Sequence, residues 1–197
     1  MSLKTFKSYT KSTRGTVLVD RKGLWKGKPY KSLTEGTHST GGRNNLGRIT
    51  SRHKGAGHKH KYREIDFYRK KDNIKAKIER IEYDPNRSAY VALIKYDDGV
   101  MSYIIAPNKI KKGDEIISGK SVPIETGNCM QLSEIPTGTD IHNIELHPNS
   151  GGKLVRSAGA FAQISGVDDN YCIIKLSSGE VRKIINTARA TIGTVSN

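Results

Sequence analysis

The sequence has few cysteines, no long apolar run and few acidic residues. Its two cysteines, Cys129 and Cys172, are too few for a disulfide framework and lack the spacing of zinc ligands. A reducing compartment is therefore expected. We expect both thiols to lie in the interiors of the small β-barrels that are predicted below. No apolar run approaches the ~20 residues that cross a bilayer, so an integral membrane protein is not predicted. Met1 is followed by no apolar segment, so no secretory signal is predicted either.

Acidic residues are scarce mainly in the first third of the chain. The 197 residues include 34 Lys and Arg against 19 Asp and Glu, a formal net charge of +15. Residues 1–73 hold 19 basic and 5 acidic residues, whereas residues 74–197 hold 15 and 14. Only 18 of the first 73 residues are apolar, against 50 of the remaining 124. The first part has too little apolar surface to bury to offset the conformational entropy that it would lose on folding alone. The second part has enough to form a hydrophobic core.

A basic segment attached to a nearly neutral body is typical of proteins that bind a polyanion. The alternative is a solvated, disordered tail that only aids solubility. Aromatic residues lie among the charges, which favours nucleic acid because rings stack on unpaired bases. These rings belong to Trp25, Tyr30, Tyr62, Phe67 and Tyr68.

Residues 41–61 are rich in glycine and histidine and have neither helical nor strand periodicity. Glycine lets a backbone approach a neighbour closely and adopt positive φ. Lys or Arg recurs every few residues and can reach phosphates. The segment is therefore predicted to follow the contour of another molecule.

The chain after residue 73 contains short β-branched and aromatic runs separated by turn residues. Residues 74–83 nearly alternate, which predicts a half-buried strand with one wet face. Asp97-Asp98-Gly99 predicts a hairpin turn between strands at 90–96 and 100–106. Further strands are predicted at 16–19, 114–117, 139–146, 160–167, 171–176, 181–185 and 191–195. No helical periodicity of useful length occurs, so the fold class is all-β, with an extended arm and two small barrels joined near residues 123–127.

Enzymatic motifs are weak. Residues 113–121 resemble a phosphate-binding loop, but five residues separate the glycines and no helix is predicted to follow, so a strand and a turn are favoured. A metal site at His58 and His60 is disfavoured because Lys59 and Lys61 repel a cation. We expect no catalytic residue, metal or cofactor. A nuclease that uses the basic arm to find its substrate is the main alternative, with Asp97-Asp98 and Asp168-Asp169 as its only candidate carboxylate pairs.

Two arginines stand in turns of the neutral body. Arg87 follows Asp84-Pro85-Asn86, and Arg156 lies in a loop of Gly, Ser and Ala. A guanidinium projected from a surface of small residues can bind a phosphate with two hydrogen bonds. The alternative is a rim salt bridge to a nearby carboxylate.

Residues 41–61, 82–89 and 151–159 closely resemble the universal large-subunit ribosomal protein two family, of bacterial or organellar type. The resemblance implies a basic arm over residues 1–60, an OB-like barrel over 61–125 and an SH3-like barrel over 126–197. It implies that arginines at positions 87 and 156 bind RNA. Family members normally continue into a basic extension beyond the position of Asn197, so no role of that extension is assigned to residues of this chain.

The resemblance also implies a structural, non-enzymatic role in the large ribosomal subunit. The expected partners are large-subunit ribosomal RNA and neighbouring ribosomal proteins, with no membrane and no small-molecule substrate. The expected tasks are subunit assembly, subunit association, tRNA placement and support of the peptidyl-transferase region. The expected location is the ribosome, in the cytoplasm or an organelle matrix. An assembly or translation factor that leaves after acting is a further alternative.

We expect RNA contacts from the basic and polar residues of the arm and of the two arginine loops. The predicted residues are Arg43, Asn44, Asn45, Arg48, Arg52, His53, Lys54, His58, Lys59, His60, Lys61, Arg63, Arg69, Lys70, Asn86, Arg87, Lys153 and Arg156.

Overall fold

The computed structural model describes residues 3–37, 39–55 and 57–197. Within these ranges the protein is all-β, as predicted, and its only helical elements are single 3-10 turns at Lys31–Leu33 and Leu132–Glu134. None of the described segments forms a helix with the length and hydropathy needed to cross a membrane.

The arm and the first residues after it contain four strands, each of three residues. They are β1 (Leu3–Thr5), β2 (Val17–Val19), β3 (Thr34–Gly36) and β4 (Lys61–Arg63). β1 pairs with β2 and β3 pairs with β4, both antiparallel. The sequence pattern predicts only β2, because three residues are too few to show a period of two.

The first barrel is OB-like, as the resemblance implies, and is built on one antiparallel sheet. Its strands are β5 (Ala76–Glu82), β6 (Val91–Tyr96), β7 (Met101–Ile105) and β8 (Glu115–Ile116). Their spatial order is β7-β6-β5-β8. The predicted hairpin turn is present, with Gly99 at φ 85° and its N–H donated to the Tyr96 carbonyl at 2.8 Å. The segment that resembles a phosphate-binding loop contains β8 and turns, with no helix after it.

A β-bulge in β5 changes which side chains face the core. The register with β6 shifts between Ile78 and Arg80. Ile78 packs in the core before the bulge and Ile81 packs against it afterwards, so Arg80 and Glu82 turn to the opposite side of the sheet. Glu82 is nonetheless buried. The expected wet face of this strand is therefore covered by another part of the chain.

Both faces of β6 are buried. Ile94 faces the barrel core, while Val91 and Leu93 form a second cluster on the outer face. Leu33 and Ile65 pack against that outer cluster. Burying one such aliphatic side chain contributes about 1.5–3 kcal/mol. The chain on either side of the basic segment is thus held against the first barrel.

The second barrel is SH3-like, again as the resemblance implies. Its strands are β9 (Cys129–Gln131), β10 (Asp140–His142), β11 (Ile144–Glu145), β12 (Gly152–Leu154), β13 (Ala162–Val167), β14 (Tyr171–Leu176), β15 (Val181–Ile185) and β16 (Arg189–Ile192). Six form one sheet in the order β15-β14-β13-β10-β16-β9, and β11 pairs with β12. Cys172 lies in the hydrophobic core, and both cysteines are free and buried.

The two barrels meet along a seam. Val195 bridges Pro107, and the Ser196 N–H donates to the Ala106 carbonyl at 3.0 Å. Ser118 bridges Cys129 at another point of the seam. These backbone contacts fix the loops of one barrel relative to those of the other.

Candidate nucleic-acid interface

The glycine-rich segment is a closed loop rather than an open coil. The Gly42 carbonyl accepts the N–H groups of Thr50 and Ser51 at 3.0 and 3.1 Å. Gly42 has φ 76°, and a Cβ there would lie 2.1 Å from the Ser51 carbonyl oxygen. Only glycine fits this closing position, because a side chain would be both strained and in collision.

Asn44 organises the tip of this loop. Its Oδ1 accepts the N–H groups of Leu46 and Arg48, both at 3.0 Å, and its own N–H donates to the Arg48 carbonyl at 2.9 Å. Such local capping is what asparagine does in turns. Asn44 is a predicted RNA contact, but its side-chain oxygen already accepts two hydrogen bonds within the loop.

Most of the predicted RNA contacts lie at the surface. His60 and Arg87 are half-buried, while Arg63 and Arg69 are buried. The remaining fourteen are exposed: Arg43, Asn44, Asn45, Arg48, Arg52, His53, Lys54, His58, Lys59, Lys61, Lys70, Asn86, Lys153 and Arg156.

A groove of about 610 Å³ joins the end of the basic loop to the first barrel. His58, Lys59 and His60 line one side, and Pro85 and Asn86 line the other. The Asn86 amide donates to the Lys61 carbonyl at 2.8 Å and holds the two sides together. The structure therefore brings two separately predicted motifs into one basic cleft.

Two reciprocal stacks hold the first part of the arm on β5. The Arg21 guanidinium lies 3.6 Å from the Tyr83 ring centroid, and Arg80 lies 4.7 Å from that of Trp25. The backbone N–H of Trp25 also donates to the Ile81 carbonyl at 2.9 Å. The Trp25 ring, predicted to stack on bases, thus stacks on an arginine of the protein itself, and the Tyr83 ring does the same.

Beneath the arm lies a buried charge network centred on Glu82 and Asp84. Arg63 Nε contacts Glu82 Oε2 at 3.2 Å, and its Nη1 contacts Asp84 Oδ1 at 3.5 Å. Glu82 also binds Arg80 at 2.8 Å and accepts the Tyr103 hydroxyl at 2.9 Å. Arg63 thus fastens β4 to the barrel, and we do not include it in the proposed RNA surface.

Arg69 lies in the seam between the barrels. Its Nε donates to Ser118 Oγ at 3.1 Å and its Nη1 to the Gly127 carbonyl at 3.4 Å. Its own carbonyl accepts Arg189 Nη1 at 3.0 Å, and Arg189 pairs with Asp72 at 2.6 Å. Arg69 therefore joins the barrels, and we also leave it out of the proposed RNA surface.

His142 is fully buried in the second barrel. Its Nδ1 lies 2.7 Å from the Gly193 carbonyl and donates to it, while Nε2 has no hydrogen-bond partner in the described part of the chain. Burial lowers the pKa of His142 to about 4, and the charge of Arg69 acts in the same direction. A protonated ring would place an unpaired charge in the interior.

We expect His142 to make stability fall with acidification. The folded pKa of about 4 lies below the unfolded value of about 6.5, so neutral His142 contributes its full stability above pH 6.5. That contribution is lost as pH falls from 6.5 to about 4, by up to about 3 kcal/mol. Urea denaturation between pH 7 and 4 measures it, with His142→Asn as the control that keeps an N–H donor but does not titrate. Parallel pH profiles for the two proteins would contradict the assignment.

The loops that carry Arg87 and Arg156 lie side by side. Ser88 Oγ accepts the Ala158 N–H at 3.1 Å, although the two residues are 70 positions apart. Arg87 pairs with Asp84 at 2.6 Å, a local salt bridge of the kind named as the alternative, and its contact with RNA stays a prediction. Arg156 stacks on Phe67, 4.7 Å from its ring centroid, and remains exposed.

A second ring supports the same surface. Tyr68 is 45% exposed, lies against Gly151, and has Lys70 Nζ 4.7 Å from its centroid. Buried Glu145 holds the loop before Gly151 by accepting the N–H groups of Asn149 and Gly151 at 3.2 and 3.0 Å. The surface therefore combines cations from both barrels with two aromatic rings from the first.

The acidic pairs of the nuclease alternative are both in hairpin turns. Asp98 binds Lys71 and caps the Val100 N–H, and the Lys71 hydrogen bond lowers the pKa of its carboxyl group. Asp168 donates its N–H to the Tyr171 carbonyl in the turn that precedes β14. Each pair thus has a turn-forming role.

The fold and the site together define a two-barrel, all-β protein whose basic loops converge on one surface. Family models confirm the resemblance found in the sequence. One described as "Ribosomal Proteins L2, RNA binding N-terminal domain" matches residues 30–118, and one described as "Ribosomal Proteins L2, C-terminal domain" matches residues 125–197.

Curated relatives agree with the family models. The large ribosomal subunit protein uL2 of Pelagibacter ubique is 60% identical over 198 residues, covering 100% of this chain and 70% of that protein. The proteins of the same name from Granulibacter bethesdensis and Ehrlichia canis are 59% and 56% identical, covering 100% of this chain and 71% of each. The chain belongs to the ribosomal protein L2 family. These relatives are ribosomal proteins rather than enzymes, as the sequence predicts.

Proposed function

We propose that this chain is a structural constituent of the large ribosomal subunit that binds folded ribosomal RNA through its basic loop and the surface formed by the Arg87 and Arg156 loops. The relatives' shared name and the family description support this role. The observation that carries it is the pairing of the Arg87 and Arg156 loops through Ser88 and Ala158. This contact aims two cations from different barrels at one surface.

The two arginines differ in how they meet RNA. Arg156 has its guanidinium face on Phe67 and makes no salt bridge within the described ranges, so its N–H edge is available to a phosphate. Arg87 forms a salt bridge with Asp84, and its guanidinium carbon lies 5.7 Å from the Tyr62 ring centroid. Arg156 therefore supplies the stronger phosphate contact, and Arg87 shapes the surface beside it.

Finer roles follow from family membership and are part of the proposal. They are support of subunit assembly, subunit association, tRNA placement and the peptidyl-transferase region, with neighbouring ribosomal proteins as partners and the ribosome as the location. Co-sedimentation with mature large subunits in high salt distinguishes a resident protein from a factor that leaves. Absence from washed mature subunits would contradict residence.

Arg156→Ala is expected to weaken binding to a large-subunit RNA fragment by about 1–3 kcal/mol, because a stacked, phosphate-bound guanidinium is lost. Arg156→Lys is expected to lie between wild type and Ala, since it keeps the charge but loses the planar fork. Filter binding measures both affinities.

Arg182→Ala is the matched control, because it removes the same side chain from an exposed position on β15. Its affinity is expected to equal that of wild type. Equal losses for Arg156→Ala and Arg182→Ala would show that only net charge matters and would remove Arg156 from the interface.

A further inference from the structure

β15 is an edge strand of the six-stranded sheet. β14 pairs with one side of it over all five residues, and no strand of the described chain pairs with the other side. The strand has no proline and no bulge in its register with β14. Free edges of this kind are templates for a further strand.

The backbone groups that remain free on β15 can be identified from its register. Leu176 donates its N–H to the Glu180 carbonyl, and Asn186 donates its N–H to the Asn170 carbonyl. Hydrogen-bonded and non-hydrogen-bonded pairs alternate along an antiparallel ladder, so Arg182 and Ile184 bond to β14. The N–H and C=O groups of Val181, Lys183 and Ile185 therefore point away from β14.

The face beside this edge carries three exposed apolar side chains and two exposed lysines, Lys175 and Lys183. Tyr171, Val181 and Ile185 are 47%, 58% and 37% exposed, and Tyr171 lies opposite Ile185 across the β14–β15 pair. Residues 162–185 hold three basic and three acidic residues, whereas residues 39–63 hold seven basic and none acidic. Phosphate contacts dominate RNA binding, and the sparser charge of this face, with two lysines among apolar side chains, suits a protein segment that has both apolar and acidic residues.

A groove of about 470 Å³ runs along the same edge. Lys183 and Ile184 line one side, and Leu146 and His147 line the other. The free backbone groups of β15 thus border an open groove next to partly buried Leu146. An added strand would find main-chain partners and an apolar contact in one place.

We propose that β15 binds an extended segment of a neighbouring ribosomal protein as an additional antiparallel strand. The segment has alternating apolar residues that cover Tyr171, Val181 and Ile185, and an acidic residue opposite Lys183. Opposed charges across a strand pair stabilise it and set its register. This inference rests on the proposed place of the chain in the large subunit, and it names a protein contact that RNA binding does not require.

Hydrogen exchange in the unmodified protein tests the inference. Large subunits are assembled from the RNA and proteins of Granulibacter bethesdensis, with this chain in place of the homologue. Exchange of the outward amides of Val181, Lys183 and Ile185 is expected to slow by about tenfold or more in the particle, and not in a complex with RNA alone. Equal protection by RNA alone would make RNA the partner, and no protection in an assembled particle would overturn the inference. Failure of the chain to enter the particle would instead contradict the proposed function.

A pair of substitutions isolates the backbone contact. Lys183→Pro removes one outward N–H, at an edge position where proline is tolerated, while Lys183→Ala removes the side chain and keeps the N–H. Quantitative mass spectrometry of assembled particles is expected to show one protein reduced about fivefold by Lys183→Pro relative to Lys183→Ala, with RNA affinity unchanged in both. Equal protein content in the two particles, with Lys183→Pro folded, would contradict strand addition.

Discussion

Replacing the six exposed basic side chains of the glycine-rich loop by glutamine is expected to lower RNA affinity about 10³–10⁴-fold at 0.15 M salt. Each phosphate contact that is lost also removes about 0.7–0.9 from the slope of log K against log salt. A wild-type slope near −7 to −9, for about 10 contacts, should become shallower by about 4 to 5. Filter binding across a salt series measures both quantities. The substituted residues are Arg43, Arg48, Arg52, Lys54, Lys59 and Lys61.

The control variant changes the net charge by the same amount elsewhere. It replaces six exposed lysines of the barrels by glutamine, at positions 109, 111, 112, 120, 175 and 183. Its affinity and salt slope are expected to stay close to those of wild type. Equal losses in the two variants would mean that binding depends on total charge and not on the loop.

Asp84→Ala is expected to destabilise the protein by about 3–5 kcal/mol, because it leaves buried Arg63 without one of its two carboxylates and releases Arg87. Asp84 is fully buried, and its carboxylate also accepts the Asn86 N–H at 2.9 Å. The substitution therefore also removes a hydrogen bond from the turn that carries Arg87. The midpoint and slope of urea denaturation give the change in unfolding free energy.

Glu115→Ala is the matched control for this ion-pair network. Glu115 pairs with Lys75 at 3.2 Å, and both side chains are more than 60% exposed. An exposed pair of this kind contributes about 0–1 kcal/mol. An Asp84→Ala protein as stable as the Glu115→Ala protein would show that the buried network does not hold the arm to the barrel.

Regular alternation makes the longer strands predictable. β14 and β15 have the predicted bounds, because each is a run of five or six residues between clear turn residues. The predicted single strand at 139–146 is instead β10 and β11, separated by Asn143 at φ 51°. The strand predicted at 191–195 begins earlier and ends at Ile192. β9 and β12 are only three residues long and are not predicted.

The surface loops of the site are predictable from composition, but burial of charge is not. Arg63 and Arg69 look like their exposed neighbours in sequence, because nothing local shows that Glu82 or Ser118 lies opposite them. One clue does exist in β5. Apolar residues occupy positions 78 and 81 rather than 78 and 80, and this break in alternation marks the bulge that turns Glu82 towards Arg63.

Because Val195 and Ser196 join the two barrels, the proposed binding surface can be completed only late in synthesis. A nascent chain that ends near residue 160 already contains Arg87 and Arg156, but it lacks β13–β16 and the bridge from Val195 to Pro107. The basic loop needs only local hydrogen bonds and forms much earlier. Under the proposed function, electrostatic binding of RNA by the loop can therefore precede alignment of the two arginine loops, which is complete only after the last strands have folded.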